Sequence, residues 1–148
     1  MAVSADQAFI EKRLASIQEA INTQAVESLL SHYIDEGLDY SDYGAGAINM
    51  DKSGLRSYFH NFFSGCSNLK ISTVVVSGTK NFTVWEWNLT FNYNTAIVQA
   101  SGDADFTPDK ADGREIKMVG VSIAWWNGEG KVYKNHDYAK GVESFEGR

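Results

Sequence analysis

The chain changes its hydrophobic period once, near residue 65, from a helical first part to a stranded remainder. Before that point apolar residues recur every three or four positions. Phe9, Leu14, Ile17 and Ile21 mark a first helix behind a Ser4-Ala5-Asp6 cap. Val26, Leu29, Leu30 and Tyr33 mark a second, from about Ala25 to Asp35, closed by Gly37. Leu38 to Tyr43 alternates and predicts a short strand ended by Gly44-Ala45-Gly46. Asp51-Lys52-Ser53 then caps a third helix, Gly54 to Phe63, carrying Leu55, Tyr58, Phe59, Phe62 and Phe63. Beyond Gly65, alternation predicts strands over Leu69–Val76, Phe82–Tyr93, Thr95–Ser101, Ile116–Trp126 and Lys131–Tyr138. Asp103 to Arg114 is a polar connection. Three early helices followed by a long meander predict one α+β domain over residues 1–148. Its curved antiparallel or mixed sheet wraps around the helices as a cone, and the open mouth of the cone is the natural ligand site.

Composition narrows the function. At 148 residues the chain can bury one sizeable core. Aromatic residues make up 13% of it, a surplus that must fill a core, an interface or a cavity for a flat ligand. A formal net charge of −6 without a basic stripe argues against nucleic acid or an anionic membrane as partner. No apolar run matches a membrane span and the first residues lack the features of a signal peptide, so a cytoplasmic protein is expected. Cys66 is the only cysteine, which rules out an internal disulfide or a thiolate metal site, and its neighbours are not electropositive. His32, His60 and His136 fall on separate elements without ligand spacing, so neither metal nor cofactor is expected. There is no Gly-x-Ser-x-Gly elbow, and Gly44-Ala45-Gly46 is a turn rather than a phosphate loop.

The candidate chemistry lies in carboxylates. The last predicted strand ends in His136-Asp137-Tyr138, where most strands end in turn residues. Alternation sends His136 and Asp137 to opposite faces, and Asp137 is taken as the inward one. In an aromatic pocket its charged form is disfavoured, so its pKa rises toward neutrality and suits it to proton transfer. Tyr40 and Asp42 share a strand face, where a phenol beside an acid can stabilise a developing enolate or alkoxide. On the strand 82–93, Val84, Glu86, Asn88 and Thr90 share one face, and Trp85, Trp87, Leu89 and Phe91 the other. The pattern leaves both orientations open. With Glu86 inside, it serves as a second acid, Asn88 orients a substrate oxygen, and the outward tryptophans need a homodimer packed sheet against sheet. With the tryptophans inside, Glu86 is solvated. Phe59, His60, Val119 and Val121 complete the expected substrate contacts.

The order of elements, with Leu38-Asp39-Tyr40-Ser41-Asp42, Trp85-Glu86-Trp87-Asn88 and Gly130-Lys131-Val132 leading into His136-Asp137-Tyr138, resembles the SnoaL-like branch of the nuclear transport factor 2-like superfamily. The last segment is also similar to the closing strand of limonene-epoxide hydrolases, where Gly-Lys-Ile leads to Arg-Asp-Tyr. The resemblance implies a general acid or base at Asp137. It sets Tyr40-Ser41-Asp42 on the hydrolases' Tyr-x-Asn and Glu86-Trp87-Asn88 on their Arg-x-Asp. Losing that arginine and second aspartate counts against epoxide hydrolysis. The resemblance further implies a cofactor-independent isomerase, cyclase or dehydratase acting on a hydrophobic, oxygenated polyketide- or terpenoid-like intermediate, in a fold that often dimerises through its outer sheet face. The alternatives are an epoxide hydrolase and a non-catalytic dimeric module binding an apolar ligand or a protein. Convergence of Asp42, Glu86 and Asp137 in one closed cavity separates an enzyme from a binding module.

Overall fold

The computed structural model describes residues 5–94 and 113–148. The Ser4 cap, the strand predicted over Thr95–Ser101 and nearly all of the Asp103–Arg114 connection lie outside the described residues. The elements run α1 (Ala5–Asn22), α2 (Val26–Leu30), β1 (Asp39–Asp42), β2 (Ala47–Met50), α3 (Lys52–Gly65), β3 (Cys66–Gly78), β4 (Phe82–Tyr93), β5 (Glu115–Trp126) and β6 (Val132–Val142). The strands form one open sheet in the order β2-β1-β6-β5-β4-β3. Every pairing is antiparallel except β1 with β6, which is parallel. This is the α+β arrangement expected, a mixed sheet with three helices.

The helices lie on the inner face because their apolar stripes must be covered. Ile10, Leu14, Ile17 and Ala20 are the buried positions of α1, one helical face in register with β3. Asn22 pins the end of that helix by exchanging two hydrogen bonds with the backbone of Ile71, at 2.7 and 3.0 Å. The stripe therefore begins at Ile10 rather than Phe9, whose exposed ring instead carries the Arg13 guanidinium 4.5 Å above it. The Asp51 carboxylate caps α3 by accepting from the Gly54 amide at 2.8 Å. Leu55, Phe59 and Phe63 then recur at i, i+4 and i+8 and point inward.

Two local departures from the sequence reading matter for the site. The second helix stops at Leu30 instead of reaching Asp35. The backbone beyond it is drawn into the sheet: Val132 N–H donates to His32 O at 2.8 Å and Ile34 N–H to Val132 O at 3.0 Å. That bridge takes Tyr33 off a helix and turns its ring inward. The chain after the Gly44–Gly46 turn also forms a strand, β2, which was not expected.

The orientation of β4, open from the sequence, resolves with the tryptophans inside. Burial alternates strictly along the strand, and Trp85 and Trp87 are 3% and 7% exposed. Burying two indoles removes a few hundred Å² of apolar surface from water, worth several kcal/mol at about 25 cal/mol per Å². Turning Glu86 inward instead would have to repay the desolvation of a carboxylate. Each inward indole N–H finds a hydroxyl on a neighbouring strand: Trp85 donates to Thr73 at 2.9 Å, Trp87 to Ser122 at 3.0 Å and Trp126 to Thr83 at 2.9 Å.

The outer sheet face is nonetheless apolar and aromatic. Tyr43 stacks on Tyr138, and His136 sits edge-on to Tyr43 and Trp125. Trp125 in turn meets Phe82, and Val84, Val119, Val121 and Ile123 extend the patch by register. Trp125 is therefore half-buried on the outer face, whereas Trp126 is buried in the core.

Candidate active site

Strands β1 and β6 bring the site together. Their parallel register sets Tyr40 beside Asn135 and Asp42 beside Asp137, so groups far apart in sequence share one end of the sheet. Asp137 is 7% exposed and faces the space between sheet and helices, whereas His136 points to the outer face. The cavity there measures about 100 Å³. Its walls come from α1 (Leu14, Ile17), α3 (Tyr58, Phe59, Phe62) and the sheet (Trp85, Trp87, Met118), and its polar groups gather around Asp137.

Three donors converge on the Asp137 carboxylate. The Tyr40 hydroxyl donates to Oδ2, the Asn135 amide donates to Oδ1 at 2.7 Å, and the Ser122 hydroxyl stands directly opposite in the β5–β6 register as the third donor group acting on the carboxylate. These bonds favour the ionised form. Burial and the nearby Asp42 carboxylate oppose them and win, pushing the Asp137 carboxyl up to about 7. An acid that is otherwise ionised above about 4 is therefore divided between its two forms near neutral pH.

The surrounding phenols stay protonated. Burial, followed by the charge of Asp137, holds the Tyr40 hydroxyl well above its ordinary range, and the same two causes raise Tyr33. The rings of Tyr33 and Tyr40 pack edge to face at 5.6 Å, which sets two protonated phenols beside Asp137. Asp42 accepts from the Tyr58 hydroxyl at 2.7 Å and from the Ala45 amide at 3.0 Å, which fixes the second carboxylate across the cavity mouth from α3.

Of the residues singled out in the sequence, Asp137, Tyr40, Asp42 and Phe59 line this cavity. Glu86 and Asn88 do not: they lie on the outer face of β4, where Arg148 binds Glu86 at 2.5 Å and Asn88 at 3.1 Å. Val119 and Val121 share that face because they pair with Asn88 and Glu86. His60 follows the inward Phe59 by one helical step of about 100°, which turns it to solvent. Two of the three acids whose convergence was sought therefore meet, and the third is excluded by the tryptophans.

Sequence reasoning missed Tyr33, Ser122 and Asn135. Asn135 was within reach, since it stands two residues before Asp137 and shares its face by alternation. Ser122 needed the β5–β6 register, and Tyr33 was masked by its fit to a helical stripe. Cys66 is buried and its thiol is pushed up to about 11, so it is a packing residue. Among the described residues no group of three or more His, Cys, Asp or Glu side chains could hold a metal ion. No described helix is long and apolar enough to cross a membrane.

The architecture recurs in solved structures. TsrD from Streptomyces laurentii superposes with a TM-score of 0.71 at 14% identity over 93% of this chain and 92% of its own. A SnoaL-like polyketide cyclase from Agrobacterium tumefaciens superposes with a TM-score of 0.64 at 12% identity over 86% and 87%. These define a SnoaL-type cone at the level of fold. Sequence reaches further. Cyclase aurE of Calcarisporium arbuscula is 30% identical over 129 residues, 87% of this chain and 82% of that protein. No family model matches the sequence. The chain belongs to the SnoaL-like branch of the nuclear transport factor 2-like superfamily.

Proposed function

We propose that this chain is a cofactor-independent cyclase or isomerase in which Asp137 moves a proton on a carbonyl-bearing carbon skeleton. The observation that supports it most directly is the meeting of Asp137 and Asp42 in one aromatic cavity, with Asp137 poised near neutrality. As a carboxylate, Asp137 takes the proton from a carbon next to a carbonyl and leaves an enolate. The enolate closes onto a second carbonyl, and protonated Asp137 returns the proton to the alkoxide formed there. Asp42 and Tyr58, hydrogen-bonded to one another, orient the substrate's oxygens from the opposite wall. Water is kept out by Phe59, Phe62, Trp85 and Trp87, which strengthens each polar contact inside. No arginine, lysine or histidine lines the cavity among the described residues, which disfavours the epoxide-hydrolase alternative.

The relatives support a substrate class. The 30%-identical protein is named a cyclase and the Agrobacterium protein a polyketide cyclase, so a polyketide-like poly-carbonyl chain fits both the name and the walls. At about 100 Å³ the cavity is smaller than the roughly 300–1,000 Å³ of typical small-molecule sites, so it takes the reacting end of a longer molecule. The test is deuterium wash-in from D₂O at the central carbon of a short 1,3-diketone thioester, followed by NMR. Enzyme-dependent exchange that falls about 10²–10⁴-fold in Asp137→Asn is expected for a general base. Exchange that is absent, or undiminished in the variant, refutes the reading.

The aromatic outer face supports a homodimer packed sheet against sheet, although the tryptophans of β4 have no part in it. Sedimentation at micromolar concentration is expected to give a dimer that Val121→Glu dissociates. A wild-type monomer refutes this arrangement.

A further inference from the structure

Of the three inward indoles, only that of Trp87 hands its hydrogen bond on to an ionisable group. The threonine that accepts from Trp85 donates on to the neutral amide of Gln18 and Trp126 reaches the hydroxyl of Thr83, whereas the hydroxyl that accepts from Trp87 belongs to Ser122, which stands directly opposite Asp137 on β6 and acts on its carboxyl as a donor. A serine hydroxyl has one hydrogen to give. With its lone pair engaged by the indole N–H, that hydrogen is aimed at the carboxyl.

The geometry that allows this is specific. In the β4–β5 register Trp87 stands opposite Gly120, and Ser122 stands opposite Trp85. Trp87 therefore reaches Ser122 on the diagonal, by laying its ring across position 120. A Cβ at Gly120 would lie 2.2 Å from Cη2 of the ring, so any side chain there would force the indole away. The absent side chain at 120 thus serves the aim of a hydroxyl two residues further along the strand.

We propose that Trp87 is a positioning residue for Asp137, acting through Ser122, so that the cavity wall a substrate touches also sets the readiness of the acid. Its bearing on catalysis rests on the proton-transfer reading above, but the coupling itself does not. The groups facing Asp137 are Tyr40 and Asp42 from β1, Tyr33 from the segment after α2, Ser122 from β5 and Asn135 from β6. Tyr58 of α3 reaches it only by way of Asp42. The Trp87 N–H donates to Ser122, so the hydrogen-bonded route from the indole toward Asp137 runs through that residue.

The experiment follows the indole N–H resonances and the Asp137 carboxyl carbon together from pH 5 to 9. In the wild type the Trp87 N–H is expected to move with the Asp137 midpoint, while those of Trp85 and Trp126 stay still. Ser122→Ala is expected to tighten proton binding by Asp137 roughly tenfold, since it removes a donor to the charged form, and to uncouple Trp87. Trp87→Phe is expected to tighten it about threefold alone and not at all in the Ser122→Ala background, the non-additive pattern of a serial link. A Trp87 resonance that ignores the Asp137 titration in the wild type overturns the proposal, whatever the variants do. So does an equal effect of Trp87→Phe in both backgrounds, which would mark a packing effect. None of these measurements uses a substrate, so an active Asp137→Asn enzyme would sink the functional reading while leaving this coupling intact.

Discussion

Replacing Asp137 by asparagine should change how the protein's stability depends on pH more than it changes stability itself. The carboxyl is displaced from 3.8 to about 7 in the folded protein. A raised carboxyl favours folding while protonated, so its contribution is fully present below about pH 4 and is lost as pH rises to 7. Above pH 7 the ionised, buried group is a fixed cost. A displacement of this size is worth on the order of 4 kcal/mol, approached with a slope of up to about 1.4 kcal/mol per pH unit. Asparagine abolishes the slope. It also adds a pH-independent cost, because an amide cannot accept from Tyr40, Ser122 and Asn135 at once, and one donor is left facing an N–H₂ group. The informative quantity is therefore the difference between wild type and variant in unfolding free energy, from urea titrations at half-unit steps from pH 4.5 to 8.5. Other groups that titrate there, the half-buried His32 among them, are common to both proteins and cancel. The wild type should lose at least 2 kcal/mol relative to Asp137→Asn across this range. A difference constant to within about 0.5 kcal/mol would mean that Asp137 ionises as an ordinary surface acid, and the argument built on its burial would fail.

Two further outcomes follow from the same geometry. Tyr40→Phe removes the hydroxyl that donates to the Asp137 carboxylate, so proton binding by Asp137 should tighten about tenfold. The acidic limb of the deuterium-exchange profile then moves to higher pH, and an unmoved limb would deny Tyr40 that role. Glu86→Gln should leave the exchange rate within about twofold of wild type, because its partner is Arg148 on the far side of the sheet; a tenfold loss would reinstate Glu86 as a participant.

The parts of this molecule that could be read from the sequence are those governed by period alone. β4 begins at Phe82 and ends at Tyr93, as alternation predicts, and the inward turn of Asp137 follows from the same rule. The failures occur where distant backbone intervenes. The second helix should reach Asp35 by periodicity, but Val132 captures the carbonyl of His32 and the amide of Ile34, and no local signal announces a partner a hundred residues away. The face of β4 was undecidable by pattern, since both of its faces are plausible interiors, and was decided by the cost of exposing two indoles against that of burying one acid. Ser122 looks like a neutral interruption between Val121 and Ile123. Only the register of β5 on β6 reveals it as a donor to the acid.

The parallel pairing of β1 with β6 has a kinetic side. Tyr40 and Asp137 are 97 residues apart, and among the described residues β6 is the strand that joins the β1–β2 hairpin to the rest of the sheet. Closing so long a loop costs entropy that no nearby contact refunds in advance, and contacts of such separation form late. Tyr40 and Asp137 therefore meet only when the last strand slides into the gap between β1 and β5. A molecule caught before that step can hold most of its helices and its β3–β5 meander, yet it has one wall missing and its acid still in water. Under the proposed function such a molecule would be chemically mute, so completion of the fold would act as its own on-switch.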